Sequence, residues 1–235
     1  FDALAVSPLG SPLFVTGMAT VAFDALTGAE LWRGGSSRDL VVSHDGMTLY
    51  RGDRSSTCID PCGCNPYCPF FVNAVDSVSG SPLWSAAYGC GDYFCGTDAV
   101  VLSPDGGVVF VAGRQGPLDA TGWKSLVVAI DTVTSDVLWS RAGLYPRWSV
   151  GPDPLAVSPD GSTVFVTGTS GTDGGTAAYD ATDGTIKWSS TVPGRSNRAL
   201  AVTPDGMRVI VTGARVGETS LDYLTTALDA RTGEE

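Results

Sequence analysis

The sequence predicts an all-β fold assembled from repeated four-stranded antiparallel blades, and three observations carry that reading. A turn phrase of the Ser-Pro-Asp-Gly type recurs five times, and a tryptophan follows a second recurring aspartate at fixed spacing. In addition, 30 Gly and 14 Pro punctuate short apolar runs. Gly and Pro at that density, between short alternating segments, favour strands and tight turns over helices.

The first phrase reads Ser7-Pro8-Leu9-Gly10, Ser43-His44-Asp45-Gly46, Ser103-Pro104-Asp105-Gly106, Ser158-Pro159-Asp160-Gly161 and Thr203-Pro204-Asp205-Gly206. A short apolar stretch such as Leu155-Ala156-Val157 precedes each. An alternating stretch such as Val164-Phe165-Val166-Thr167 follows four of them, and Leu49-Tyr50-Arg51-Gly52 is a shorter version. Pro presets φ, Asp bonds its own backbone and Gly takes φ > 0, so the phrase turns strand A into strand B.

The second phrase ends strand C at Asp24, Asp76, Asp131, Asp180 and Asp229. Eight residues after the first four of these stand Trp32, Trp84, Trp139 and Trp188. A Thr-Gly or Asp-Gly turn (Thr27-Gly28, Asp183-Gly184) leads into strand D, which carries the tryptophan. The fifth tryptophan is expected at position 237, two residues past Glu235, so the last repeat is expected to be incomplete and the array a fragment.

Successive turn phrases lie 36, 60, 55 and 45 residues apart, which gives approximate repeats 1–37, 38–98, 99–153, 154–198 and 199–235 of one array. A lone four-stranded sheet cannot bury both faces, so blades are expected to pack radially into a β-propeller. The consensus, read from Ala-Val-Ser-Pro-Asp-Gly through Val-Phe-Val-Thr-Gly and Ala-Tyr-Asp-Ala to Trp, resembles the PQQ-like, WD40-like β-propeller repeat of bacterial secreted and envelope proteins. The resemblance covers essentially the whole chain. It implies the fold but not an activity, because such repeats serve enzymes, assembly scaffolds and binding proteins alike.

Formal net charge is −11, which argues against a nucleic-acid partner, since that needs clustered Lys and Arg. Nine of the 25 acidic residues belong to the two turn phrases, so much of the acidity is expected to be structural. No run approaches the roughly 18 apolar residues of a membrane span. The sequence opens within repeat material at Phe1, with no leader segment visible ahead of it.

The A–B and C–D turns share one face and are short. The B–C and D–A connections share the other and carry the length variation, with excursions at 53–71, 114–125 and 140–153. Variable loops on a rigid scaffold are where binding concentrates. That face collects the candidate ligand residues Tyr67, Phe70, Tyr93, Arg114, Trp123, Arg141, Tyr145, Arg147 and Trp148. Phe71, Tyr88, Phe94, Lys124, Arg195, Arg198 and Arg215 accompany them. Tyr, Trp and Arg are favoured at contact hot spots, which suits a protein or a glycan partner, while several rings are expected simply to pack beneath the loops.

All six cysteines fall in one repeat: Cys58, Cys62, Cys64 and Cys68 in its B–C loop, Cys90 and Cys95 in the following D–A connection. An even number in two neighbouring loops of one face points to disulfides, with all fifteen pairings open, and to an extracellular, periplasmic or cell-surface location. The Cys-x3-Cys-x-Cys-x3-Cys spacing is not a usual zinc or iron–sulfur pattern.

Catalytic signatures are not found. The single histidine, His44, replaces a turn proline, and no phosphate loop, His-Glu-x-x-His or EF-hand pattern is present. Gly168–Gly175 reads as a hairpin, and Arg51-Gly52-Asp53 as strand-end residues more than an adhesion motif. Quinoproteins resembling this repeat hold their cofactor beside an adjacent-cysteine disulfide with carboxylate and Asn calcium ligands. Here there is no adjacent Cys pair, and Asn is confined to Asn65, Asn73 and Asn197, so neither PQQ nor calcium is expected. The function expected is a non-catalytic extracellular binding or scaffold module. The alternatives are a segment of a quinoprotein dehydrogenase or hydrolase propeller, or a surface-layer or stalk component.

Overall fold

A computed structural model describes residues 2–53, 70–89, 94–116, 122–146, 148–149, 151, 154–216 and 221–235. Among these residues there is no helix, and twenty strands form five antiparallel sheets in chain order. The first sheet holds β1 (Ala3–Val6), β2 (Leu13–Thr16), β3 (Thr20–Phe23) and β4 (Glu30–Gly34). The second holds β5 (Asp39–Val42), β6 (Thr48–Gly52), β7 (Phe70–Asp76) and β8 (Pro82–Tyr88). The third holds β9 (Phe94–Leu102), β10 (Val108–Gly116), β11 (Lys124–Asp131) and β12 (Val137–Pro146).

In the fourth sheet, β13 (Trp148–Ser149) and β14 (Leu155–Val157) both pair β15 (Thr163–Ser170), followed by β16 (Asp173–Asp180) and β17 (Ile186–Val192). The fifth has three strands, β18 (Arg195–Val202), β19 (Arg208–Val216) and β20 (Leu221–Asp229). Neighbours in sequence are neighbours in each sheet, which is the A-B-C-D order that the repeat predicts. Two connections differ from the expectation. Much of 140–153 is strand, because β12 continues to Pro146, and the 114–125 excursion is shortened by β10 and β11 from both ends.

The turn phrase folds as its chemistry demands. In the third sheet Ser103 Oγ donates to Asp105 Oδ1 (2.6 Å), which also accepts from Gly107 N–H (3.0 Å), while Val108 N–H donates to Ser103 Oγ (2.9 Å). Gly106 sits at φ 78°, where a side chain would be strained. At the C–D turn, Asp131 Oδ1 accepts from the N–H groups of Val133 and Thr134. All nine turn aspartates accept at least one backbone N–H in this way. Each of their carboxyls is held below its ordinary value, chiefly by hydrogen bonds, Asp160 down to about 2.

The hydrophobic core is a series of seams between consecutive sheets. One sheet presents an aromatic from strand B, a small residue from strand C and the tryptophan of strand D. Across the third seam these are Phe110, Ala129 and Trp139, packed on Leu155, Val164, Val166 and Tyr179 of the next sheet. Phe14, Ala22 and Trp32 repeat the set in the first seam, and Phe165, Ala178 and Trp188 in the fourth. The aromatic and the Trp meet tilted, with ring centroids 5.8–6.0 Å apart, an arrangement that adds about 1 kcal/mol beyond area burial.

Each tryptophan also reaches across its seam. The indole N–H groups of Trp32, Trp84, Trp139 and Trp188 donate to the carbonyls of Ser77, Thr132, Ala181 and Ala230, at 2.9–3.0 Å. Every acceptor is the residue after a strand-C aspartate. The fixed Asp-to-Trp spacing therefore positions an inter-blade bond, a purpose the repeat pattern alone does not disclose.

Candidate functional site

The face formed by the B–C and D–A connections carries one charged cluster whose side chains are described. It is built by a bulge. Ala112 pairs Ala99 and Gly113 pairs Thr97, so Asp98 is the extra residue of β9. Gly113 is required opposite it, because a Cβ there would stand 2.1 Å from the Gly96 carbonyl oxygen. The same bulge recurs in β18, where Arg198 is the extra residue and Gly213 stands opposite.

The bulge turns Asp98, 2% exposed at its side chain, into two guanidinium groups. Arg38 Nε lies 3.3 Å and Arg114 Nη2 3.2 Å from Asp98 Oδ1. Arg114 stands over the Trp123 ring, 5.5 Å from its centroid. Beside Asp98's blade, Asp39 Oδ2 accepts from Val100 N–H (2.8 Å), tying the first strands of the second and third sheets together. Lys124 opens β11 directly after Trp123. One carboxylate thus faces two arginines, with an aromatic surface alongside, on a protein of formal charge −11. Such a cluster can accept an anionic group while the indole offers a flat apolar face.

Of the residues that the sequence singled out, Arg114 and Trp123 are brought together. Arg141 turns elsewhere: its Nη2 donates to the Asp183 carbonyl in the C–D turn of the next sheet (2.8 Å). Phe70 opens β7, Tyr145 lies in β12 and Trp148 in β13. Tyr67, Tyr93 and Arg147 lie outside the described residues, as do Cys58, Cys62, Cys64, Cys68 and Cys90. Cys95, 3% exposed on β9, is disulfide-bonded.

Two accompanying residues are structural. Tyr88 packs in a seam with its hydroxyl donating to Ser140 Oγ, and buried Arg195 donates to Thr226 Oγ1 and the Val211 carbonyl. The Arg51-Gly52-Asp53 tripeptide is closed upon its neighbours. Arg51 Nη1 donates to the Gly35 carbonyl, Asn73 Nδ2 donates to Asp53 Oδ2, and a Cβ on Gly52 would meet Thr97 at 2.2 Å. Burial pushes the Asp53 carboxyl above its ordinary value despite Arg51 and Asn73.

Arg38 and Asp98 were missing from the sequence-based set. The signal was there: both stand two residues before the first-strand Leu or Val of their repeats, as Arg198 does in the fifth.

The opposite face holds two inter-blade clefts. One, of about 740 Å³, lies between the turns of the third and fourth sheets, with Asp105, Phe110, Asp160 and Thr182 on its walls. The other, of about 370 Å³, repeats it one sheet on, with Asp160, Lys187 and Arg231. Their carboxylates are engaged by their own turns. Among the described residues no three His, Cys, Asp or Glu side chains are grouped to hold a metal. Among the described residues, the turn aspartates are bonded to backbone N–H groups and Asp98 to arginines.

The family model described as "Outer membrane protein assembly factor BamB" matches residues 123–235. Protein FAM234A of Bos taurus is 30% identical over 151 residues, which cover 60% of this chain and 24% of that protein, so the chain spans about a quarter of that relative. Among solved structures, the Dos1 propeller superposes with a TM-score of 0.67 at 12% identity, over 100% of this chain and 56% of that one. The Cps50 (Swd1) β-propeller domain of Myceliophteria thermophila superposes with a TM-score of 0.60 at 12% identity, over 96% and 70%. With five sheets in propeller order, a Trp at every seam and solved propellers superposing over nearly its whole length, the chain has a β-propeller fold, and its residues 123–235 carry the similarity to the BamB-described family model.

Proposed function

We propose that the protein is a non-catalytic binding or scaffold module of the cell envelope or cell surface, which contacts a protein or a glycan through the face of its B–C and D–A connections. The observation that carries this reading is the cluster of Arg38, Asp98, Arg114 and Trp123, a net-positive aromatic patch on a strongly acidic chain. A partner bearing carboxylates or sulfates beside an apolar or sugar face matches that chemistry. A family description that names an assembly factor is consistent with a scaffold role. The buried, disulfide-bonded Cys95 at the root of this face supports a disulfide-braced loop region and an oxidising compartment.

The test is an array of acidic and neutral glycans, together with cross-linking to an envelope-protein extract, using the full chain. Trp123→Ala and Arg114→Ala are expected to weaken binding at least about tenfold each. Lys187→Ala on the opposite face is expected to change nothing. Deletion of 57–70 is expected to abolish binding while the circular-dichroism spectrum is retained. Undiminished binding by both the Trp123 variant and the deletion would sink the reading.

A further inference from the structure

The outward face of the fifth sheet is built to the same specification as four faces that are covered. Ala22, Ala74, Ala129 and Ala178, one on each third strand, are each 0% exposed because the next sheet lies on them. Ala227 holds the same place on β20, two residues before its aspartate, and is exposed. Thr212 and Thr225 are register partners, as Thr167 and Thr176 are one sheet earlier. That earlier pair is buried and engages the amide of Asn197, which the next sheet's first strand supplies. In the first seam, Thr16 and Thr20 likewise engage the Ser37 hydroxyl, the second at 2.9 Å. Over Thr212 and Thr225 there is an open cleft of about 480 Å³, with Arg198 and Tyr223 on its rim.

The residue beside the threonine pair says which polar side chain fits. Gly174 precedes Thr176 by two, and a Cβ there would stand 2.5 Å from Asn197 Oδ1. The corresponding residue of the fifth sheet is Tyr223, so an Asn has no room at the same depth. In the first sheet that place is taken by Met18, opposite the shorter Ser37.

A second copy of the chain does not supply the match. Leu4 of its first sheet is 53% exposed where Leu40 and Leu200 are buried, so that face too is open. In the sequence, however, Phe1 precedes Leu4 by three as Ser37 precedes Leu40 and Asn197 precedes Leu200, and a phenylalanine offers the threonine pair no hydrogen-bonding group.

We propose that the outward face of the fifth sheet is a blade-binding surface, and that its occupant is a further blade of this repeat whose first strand presents a serine hydroxyl to Thr212 and Thr225. The occupant carries an apolar residue three positions after that serine, as Leu40 follows Ser37.

The experiment repeats residues 187–235 after Glu235, which supplies a Trp-bearing strand and a further three-stranded blade, with Asn197→Ser in the appended copy. Ala227→Cys in the original fifth sheet reports coverage through maleimide labelling, read by peptide mapping. Labelling is expected to slow at least about tenfold relative to the unextended chain, and less when the appended copy keeps its asparagine. Unchanged labelling in the serine form overturns the proposal, whether the extension is folded or protease-sensitive. Equal protection by both forms overturns the assignment of serine. Protection already present in the unextended chain, together with sedimentation as a dimer, gives the face to a second copy instead.

Discussion

Gly233 lies under the indole of Trp188, so close that a Cβ would stand 2.5 Å from Cε3. Gly184 under Trp139 and Gly80 under Trp32 repeat the contact at 2.5 and 2.6 Å. Each glycine sits in the left-handed region, at φ 70–74°. The C–D turn and the tryptophan of the preceding blade are therefore one structural unit, fixed by backbone conformation and ring contact together.

The second seam breaks this rule. Ser135 occupies the glycine position with φ 63°, the single non-Gly residue of positive φ among the described residues. Ser135→Gly is expected to raise unfolding free energy by about 0.5–1 kcal/mol in urea denaturation. Gly184→Ala is expected to lower it by about 2 kcal/mol or more, since a methyl must enter the ring of Trp139.

The bond across the seam can be separated from the packing. Trp139 is buried and its N–H meets the Ala181 carbonyl at 2.9 Å. Trp139→Phe removes the donor, leaves that carbonyl unpaired and opens some space, at an expected cost of about 1–3 kcal/mol. Trp139→Ala removes the ring as well and is expected to cost about 3–5 kcal/mol. No loss for Trp139→Phe in thermal denaturation would show that the hydrogen bond contributes nothing.

Asn197 joins the fourth and fifth sheets through Thr167 and Thr176. Asn197→Ala is expected to destabilise by about 1–2 kcal/mol, and the effect should shrink when Thr167→Val is already present. A double-mutant cycle on the two substitutions reads that coupling directly.

Acid stability follows from the nine turn aspartates, all of whose carboxyls are held below the ordinary value near 3.8. Groups lowered in the folded state contribute stability that is complete above the unfolded value and lost as pH falls through the folded one. The melting temperature should be flat with respect to these groups above about pH 5 and fall steeply between about 4 and 2. Asp160, at about 2, should be the last to let go. Asp160→Asn is expected to flatten the lower part of that curve.

Asp53 has the opposite sign. Burial raises its carboxyl, so its ionisation costs stability as pH climbs past the ordinary value. Asp53→Asn should therefore raise the melting temperature at pH 7 and have little effect near pH 3, a comparison that calorimetry at the two pH values makes.

The turns, the blade order and the three strands of the fifth sheet were legible in the sequence because each rests on a few adjacent residues. Ser103, Asp105 and Gly106 specify their turn within four positions, whatever surrounds them. The Arg38–Asp98–Arg114 cluster was not legible in the same way. Its members are brought together by a bulge and by the packing of two sheets, and neither shows as a periodic pattern. Arg141 differs for a related reason: connection length places it in a loop, but β12 continues through it and its guanidinium reaches the opposite face. The tryptophans were visible as a spacing, yet their hydrogen bonds join residues 42–48 positions apart and appear only with the seams.

Because the backbone of the second to fifth blades recruits two carboxylates each, one at each turn of the same face, and that of the first recruits one, negative charge accumulates with blade number. An array that grows by duplicating this unit acquires like-charged rims without any separate selection for them. Two such rims repel when they approach face to face, so the devices that shape the turns also discourage stacking through that face and leave the loop side free for association.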